Sequence, residues 1–235
     1  MHWMKGKVTR QAHVDIPEGC VEEEFGRAGF NGRYAHLYRT EAPVGWSRIE
    51  GDLKPRAYRT DALPGLGRGD YLQSRVPFLA NADVTLAMAR LSAEMPYWFR
   101  NADGDDVLFV HGGAGTLFTT FGPLAYASGD YLVIPRGTTY RLAPSSPTQL
   151  LVIETAGEVD LPEKGLLGQH ALFDPAMIDV PEPTPAPTAW QQRAASPTPE
   201  WEVRIKRQGR LTSLFYPFDP VNTVGWKGNL CAWKI

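Results

Sequence analysis

From residue 76 onward, apolar and polar positions alternate in short runs, each bounded by glycine or proline. Val84–Leu91 alternates over a strand's length, and Asp106–His111 is an apolar run closed by Gly112-Gly113-Ala114-Gly115. Thr116–Phe121 alternates again and stops at Gly122-Pro123, Tyr131–Ile134 follows Gly129-Asp130, and Thr138–Leu142 follows Pro135-Arg136-Gly137. Gln149–Glu154 ends the series. Runs of this length and punctuation predict the antiparallel strands of a sandwich or barrel across residues 80–156. Trp201–Lys206 and Arg210–Tyr216 alternate as well and predict a hairpin turning through Gln208-Gly209.

The flanks carry less pattern. Residues 1–78 read as an extended arm with short strands, anchored by Phe25, Phe30, Tyr34 and Tyr38. Gly29-Phe30-Asn31-Gly32 contains an Asn-Gly pair suited to a tight turn, and a helix is expected around Val21–Arg27. Between Val180 and Thr188 proline stands at every second position, which enforces an extended, unpaired strap. The chain thus divides into an arm (1–78), a barrel (79–158), a Pro-rich strap or linker (159–200) and returning strands (201–235). The ending through Val224-Gly-Trp-Lys-Gly228 to Ile235 has no polar tail and reads as cut off.

Composition agrees with an all-β fold. The 235 residues are 43% hydrophobic, enough for a core, and 23 Gly, 20 Pro and 26 aromatics exceed what a helical protein carries. Basic and acidic residues number 24 and 26 with no basic block, which argues against a nucleic-acid partner. No apolar run nears the ~20 residues of a membrane helix, and the N-terminus lacks the apolar stretch of a secretory signal. Cys20 and Cys231 are too few and too far apart for a disulfide framework. A cytoplasmic setting follows as the expectation.

The stretch from Tyr97 to Arg141 resembles the paired motifs of the cupin jelly-roll barrel. Gly129-Asp130-Tyr-Leu-Val-Ile-Pro135-Arg-Gly137-Thr-Thr-Tyr140 is similar to the second motif, with Tyr140 where the ligand histidine belongs. Asp106 sits near the glutamate position of the first motif, and Phe99-Arg100-Asn101-Ala102 offers no histidine. Converging imidazoles and carboxylates are what a facial Fe(II) site needs, so the expectation is a degenerate cupin without metal.

A second resemblance covers almost the whole chain. Gly26–Gly32, Ser74-Arg-Val-Pro77, Phe99–Asp106, Phe121-Gly122, Gly129–Arg141 and Tyr216–Gly228 are similar to the N-terminal region of the bacterial homogentisate 1,2-dioxygenases. The resemblance implies a ring-cleaving oxygenase of tyrosine and phenylalanine catabolism, converting homogentisate and O₂ to maleylacetoacetate. It implies Fe(II) held by two His and one Glu of a second cupin, and that C-terminal cupin half is missing from this sequence. On this reading the chain contains no catalytic, cofactor or metal residues, binds no iron itself, and supplies scaffold and subunit contacts. The implied partners are an aromatic small-molecule substrate and further copies of the chain, in trimers or hexamers.

Bland readings weigh against the remaining candidates. Asp106, His111 and Tyr140 are the only candidates for a residual barrel site, and His111 suits an edge or packing position better than a ligand. His13, His36 and His170 show no ligand spacing. Asp103, Asp105 and Asp106 around Gly104 suit an amide-binding turn better than a calcium loop. Arg136 and Arg141 suit structural ion pairs, and Trp190, Trp201, Trp226 and Trp233 suit core or subunit packing. The rival functions are a metal-free small-molecule-binding or regulatory cupin, a purely structural subunit, and a different cupin enzyme built on Asp106, Tyr140 and His111.

Overall fold

The computed structural model describes residues 3–29, 31–52, 55–161, 174–187, 190–191, 196–197 and 199–235. The chain forms two compact units that divide at residues 57/58.

In the N-terminal unit, β1 (Val21–Ala28) pairs antiparallel with β2 (Asn31–Arg39), with Val21 opposite Arg39 and Ala28 opposite Asn31. The helix expected over Val21–Arg27 is therefore a strand. Its Glu run favours helix locally, but Glu23 pairs across the hairpin with Arg39 and Glu22 is claimed by histidines, so cross-strand partners decide. Gly29 (φ 67°) opens the turn, and Asn31 is already in the ladder rather than at the turn's centre.

The second unit is a sandwich of two six-stranded sheets, a jelly-roll arrangement rather than one closed barrel. The strands between residues 76 and 112 are β3 (Val76–Ala80), β4 (Val84–Leu91), β5 (Trp98–Asn101) and β6 (Asp105–Gly112). Next come β7 (Ala114–Thr119), β8 (Gly122–Ala127), β9 (Tyr131–Ile134), β10 (Thr139–Pro144) and β11 (Thr148–Thr155). The last three are β12 (Trp201–Arg207), β13 (Arg210–Tyr216) and β14 (Trp233–Lys234). One sheet runs β13-β12-β5-β10-β7-β8 and the other β14-β9-β6-β11-β4-β3. Residues 201–216 and 233–234, set apart from the barrel on sequence, supply strands to both sheets. Every pairing is antiparallel except β12 with β5, which is parallel.

Alternation does what the pattern predicts. Leu108 and Val110 of β6, Leu132 and Ile134 of β9, and Leu150 and Val152 of β11 face Phe99, Leu117, Tyr140 and Leu142 of the other sheet in one buried core. The outer face of the β5–β12 region carries a second cluster of Trp98, Trp190, Trp201 and Val203, onto which Ala186 of the proline strap packs. The strap crosses β8 so closely that a Cβ on Gly122 (φ 127°) would lie 2.5 Å from the carbonyl oxygen of Glu182. Trp226 Nε1 donates to Pro181 O at 2.9 Å and holds the strap from the other side. Ahead of β3, the single turn α1 (Tyr71–Ser74) starts with a capping box between Asp70 and Gln73. No helix among the described residues is long and apolar enough to cross a membrane.

Candidate functional site

Two of the three sequence candidates meet inside the sandwich. Asp106 of β6 is fully buried on the core face of its sheet, and Tyr140 of β10 reaches it from the opposite sheet. The Tyr140 hydroxyl donates to Asp106 Oδ2 at 3.1 Å and lies 3.4 Å from the Tyr71 hydroxyl. Asp106 Oδ1 accepts from Asn101 Nδ2 at 3.2 Å and from Arg75 Nη2 at 3.1 Å. The same Arg75 nitrogen is 2.6 Å from Glu154 Oε2, and Lys206 of β12 hydrogen-bonds the other Glu154 oxygen.

His111 is not part of this site. It ends β6 five residues beyond Asp106, about 16 Å along the strand, and alternation turns it to the outer face. There it is exposed beside Phe109. Because β6 lies between β9 and β11, His111 is not on an edge strand either.

Burial dominates the electrostatics. Desolvation raises the Asp106 pKa, and the Arg75 charge only partly opposes it. Tyr140 is pushed well above the phenol range by desolvation and then by the Asp106 charge, and burial pushes Tyr71 up to about 12. Burial alone would lower the Arg75 pKa, but the surrounding charges, Asp106 first, raise it, so the guanidinium stays charged. The two phenols are therefore held protonated, while the Arg75 guanidinium is the charge that opposes desolvation of the Asp106 carboxylate.

The donor set does not fit Fe(II). Among the described residues no imidazole points into it, and the space beside Asp106 already holds a cation, the Arg75 guanidinium. Among the described residues no three His, Cys, Asp or Glu side chains are arranged to hold a metal ion.

Sequence reasoning missed Arg75, Glu154, Tyr71, Asn101 and Lys206 as members of the cluster. One signal was available: alternation puts Glu154 on the same face as Leu150 and Val152, and a carboxylate on a core face needs a partner. Arg75, which enters from the α1–β3 junction, could not be paired with it from spacing.

The other candidates resolve as follows. Asp103 accepts the amides of Gln208 and Gly209, and Asp105, the first residue of β6, those of Arg136 and Val159, so both bind amides as expected but of distant segments, while the amides of their own turn go to Asn101. Asp106 belongs to the core instead. Arg141 pairs with Glu94 at 2.7 Å and stacks on Trp190, while Arg136 is exposed at the rim of a cleft of about 390 Å³ bordered by Glu158, Cys231 and Trp233. In the N-terminal unit, His13 and His36, which looked unrelated in sequence, flank one carboxylate: their Nδ1 atoms are 2.5 and 3.5 Å from Glu22 Oε1. His170 lies outside the described residues. Trp190 and Trp201 pack the outer cluster, Trp226 holds the strap, and Trp233 pairs with Val133.

Comparison with known families decides the relationship. The family model described as homogentisate 1,2-dioxygenase N-terminal matches residues 71–235. The chain belongs to the homogentisate 1,2-dioxygenase N-terminal family. Family relatives include a homogentisate 1,2-dioxygenase from Nitrobacter hamburgensis, 32% identical over 58% of this chain and 29% of that protein. The one from Dictyostelium discoideum is 31% identical over 58% and 30%. A candidate dioxygenase of Saccharolobus solfataricus is 28% identical over 98% of this chain and 62% of its own length. The chain thus spans less than two thirds of the Saccharolobus protein and under a third of the homogentisate dioxygenases. A solved salicylate 1,2-dioxygenase from Pseudoaminobacter salicylatoxidans overlaps 35% of the chain and 25% of that structure at 20% identity and a TM-score of 0.33, too little to add to the strand order itself.

Proposed function

We propose that this chain is the non-catalytic N-terminal cupin of a homogentisate 1,2-dioxygenase-like oxygenase, a cytoplasmic homo-oligomer in which it supplies scaffold and subunit contacts. The observation that carries the reading is the family match over residues 71–235. The chemistry of the sandwich supports it: the inward-facing carboxylate is neutralised by a guanidinium, and both phenols are held protonated by burial. Such a centre ties the two sheets together and, with Arg75 seated against Asp106, offers no open coordination position for cleaving an aromatic ring. In the complete enzyme, Fe(II) and its ligands belong to the portion of the family that this chain does not span.

Oxygen uptake on homogentisate with added Fe(II) tests the proposal, using the purified chain alone and mixed with the remaining portion of the Nitrobacter enzyme. Uptake in the mixture and none from the chain alone is the expected result. Uptake by the chain alone that Asp106→Asn abolishes would place catalysis in this sandwich and overturn the reading.

A further inference from the structure

Asp106 and Glu154 stand directly opposite each other in the β6–β11 register, both on the core face. Like charges in such cross-strand positions repel, and each has given up most of its hydration: Asp106 is 0% and Glu154 14% exposed. One atom answers both. Arg75 Nη2 bridges Asp106 Oδ1 and Glu154 Oε2, whereas an ordinary guanidinium fork sets two nitrogens against a single carboxylate. Arg75 Nη1 is buried without an acceptor among the described residues. Placement between two negative charges, not the number of hydrogen bonds, therefore fixes the guanidinium.

The bridge also spans the fold. Asp106 and Glu154 belong to one sheet, Tyr140 and Asn101 close over Asp106 from the other, and Arg75 enters from the α1–β3 junction. Lys206 caps the outer side of Glu154 and reaches Asp103 at 3.4 Å.

We propose that Arg75 is the resident cation of this sandwich: it does by fixed charge what a bound metal ion does for inward-facing ligands, and so closes the interior to divalent metal. A dication within bonding distance of Asp106, roughly 2.0–2.2 Å, would stand against the guanidinium and be repelled. The inference concerns this cluster alone and holds whether or not the chain serves homogentisate cleavage.

Four variants of the full chain test it: R75M, R75K, D106N and the triple variant R75M/D106N/E154Q. Removing the cation leaves the buried Asp106 without a counter-charge and Glu154 with Lys206 alone, so R75M loses about 10 °C in Tm. R75K regains part of the loss, and the triple variant, with nothing left to neutralise, regains most of it. Millimolar Mn²⁺ raises the Tm of R75M, where oxygen donors are freed for a hard cation, and leaves that of the unmodified chain unchanged, as does EDTA. A triple variant no more stable than R75M, unfolded included, shows that Arg75 acts by packing and overturns the proposal. An R75M chain indifferent to Mn²⁺ overturns the equivalence with a metal ion. An unmodified chain whose Tm falls in EDTA and whose metal is lost in D106N overturns the closure.

Discussion

Gly122→Ala probes the contact between the proline strap and the sheet it crosses. The added Cβ would meet Glu182 O at 2.5 Å, Glu182 C at 2.6 Å and Pro183 N at 2.9 Å, all backbone atoms that cannot rotate aside. Forcing atoms into a filled contact costs about 1–3 kcal/mol, and placing a side chain at φ 127° adds roughly 1 kcal/mol. The sum, about 2–4 kcal/mol, corresponds to a Tm loss of roughly 4–16 °C for a domain of this size. Gly137→Ala is the control: φ is 87° there, but nothing lies within 4 Å of the position its methyl group would take, so only the backbone cost of about 1 kcal/mol remains. Thermal unfolding followed by tryptophan fluorescence reads both effects, since a lifted strap also disturbs the hydrogen bond from Trp226 to Pro181 and the packing of Trp190. Equal Tm values for the two variants, with the emission spectrum of G122A unchanged, would show that the strap does not bear on the sheet.

Two further outcomes are expected. Asp103 is half-exposed, and although burial opposes it, the amides of Gly209 and Gln208 and the charge of Lys206 hold its pKa below the ordinary 3.8. A depressed carboxylate contributes stability that is present above its unfolded pKa and lost as pH falls through the folded one. Urea midpoints measured from pH 5 downward should therefore decline less steeply below about pH 4 in D103N than in the parent; parallel declines would refute the linkage. Separately, β13 is an edge strand with Leu211, Leu214 and Phe215 exposed and no proline or bulge to protect it. Light scattering should give a mass above that of one chain, reduced by the double variant L211K/F215K; a parent chain that scatters as a monomer at all concentrations contradicts this.

Much of the sandwich was legible because its strands obey a local rule. Alternation marked β4, β9 and β13 to the residue, with glycine before and proline after β9 and β13, as observed. It failed where local pattern is weak. β5 runs straight into the turn after Asn101 with no glycine or proline beside its ends, β14 is only two residues long, and β8 follows β7 after a tight turn that looked like the end of a strand. The Glu-rich β1 was misread because helix propensity is a property of the segment, whereas its partners His13, His36 and Arg39 lie outside that segment. The site divides in the same way. Asp106 and Tyr140 were found because motif positions single them out, while Arg75 and Glu154, 79 residues apart, are joined only by the fold.

The parallel pairing of β5 with β12 has a consequence for how the chain acquires its structure. Trp98 finds its partner Val203 about 100 residues later in the sequence, so one sheet cannot close until β12 has been made. At roughly 5–20 residues per second, β5 would wait some 5–20 s during synthesis with an unsatisfied edge and Trp98 uncovered, while β6, β9 and β11 find one another within about 50 residues. Late closure of this kind raises contact order and slows folding. The nascent chain therefore passes through a state in which one sheet has five of its six strands, lacking only β14, and the other offers a sticky, half-built edge to any neighbouring chain.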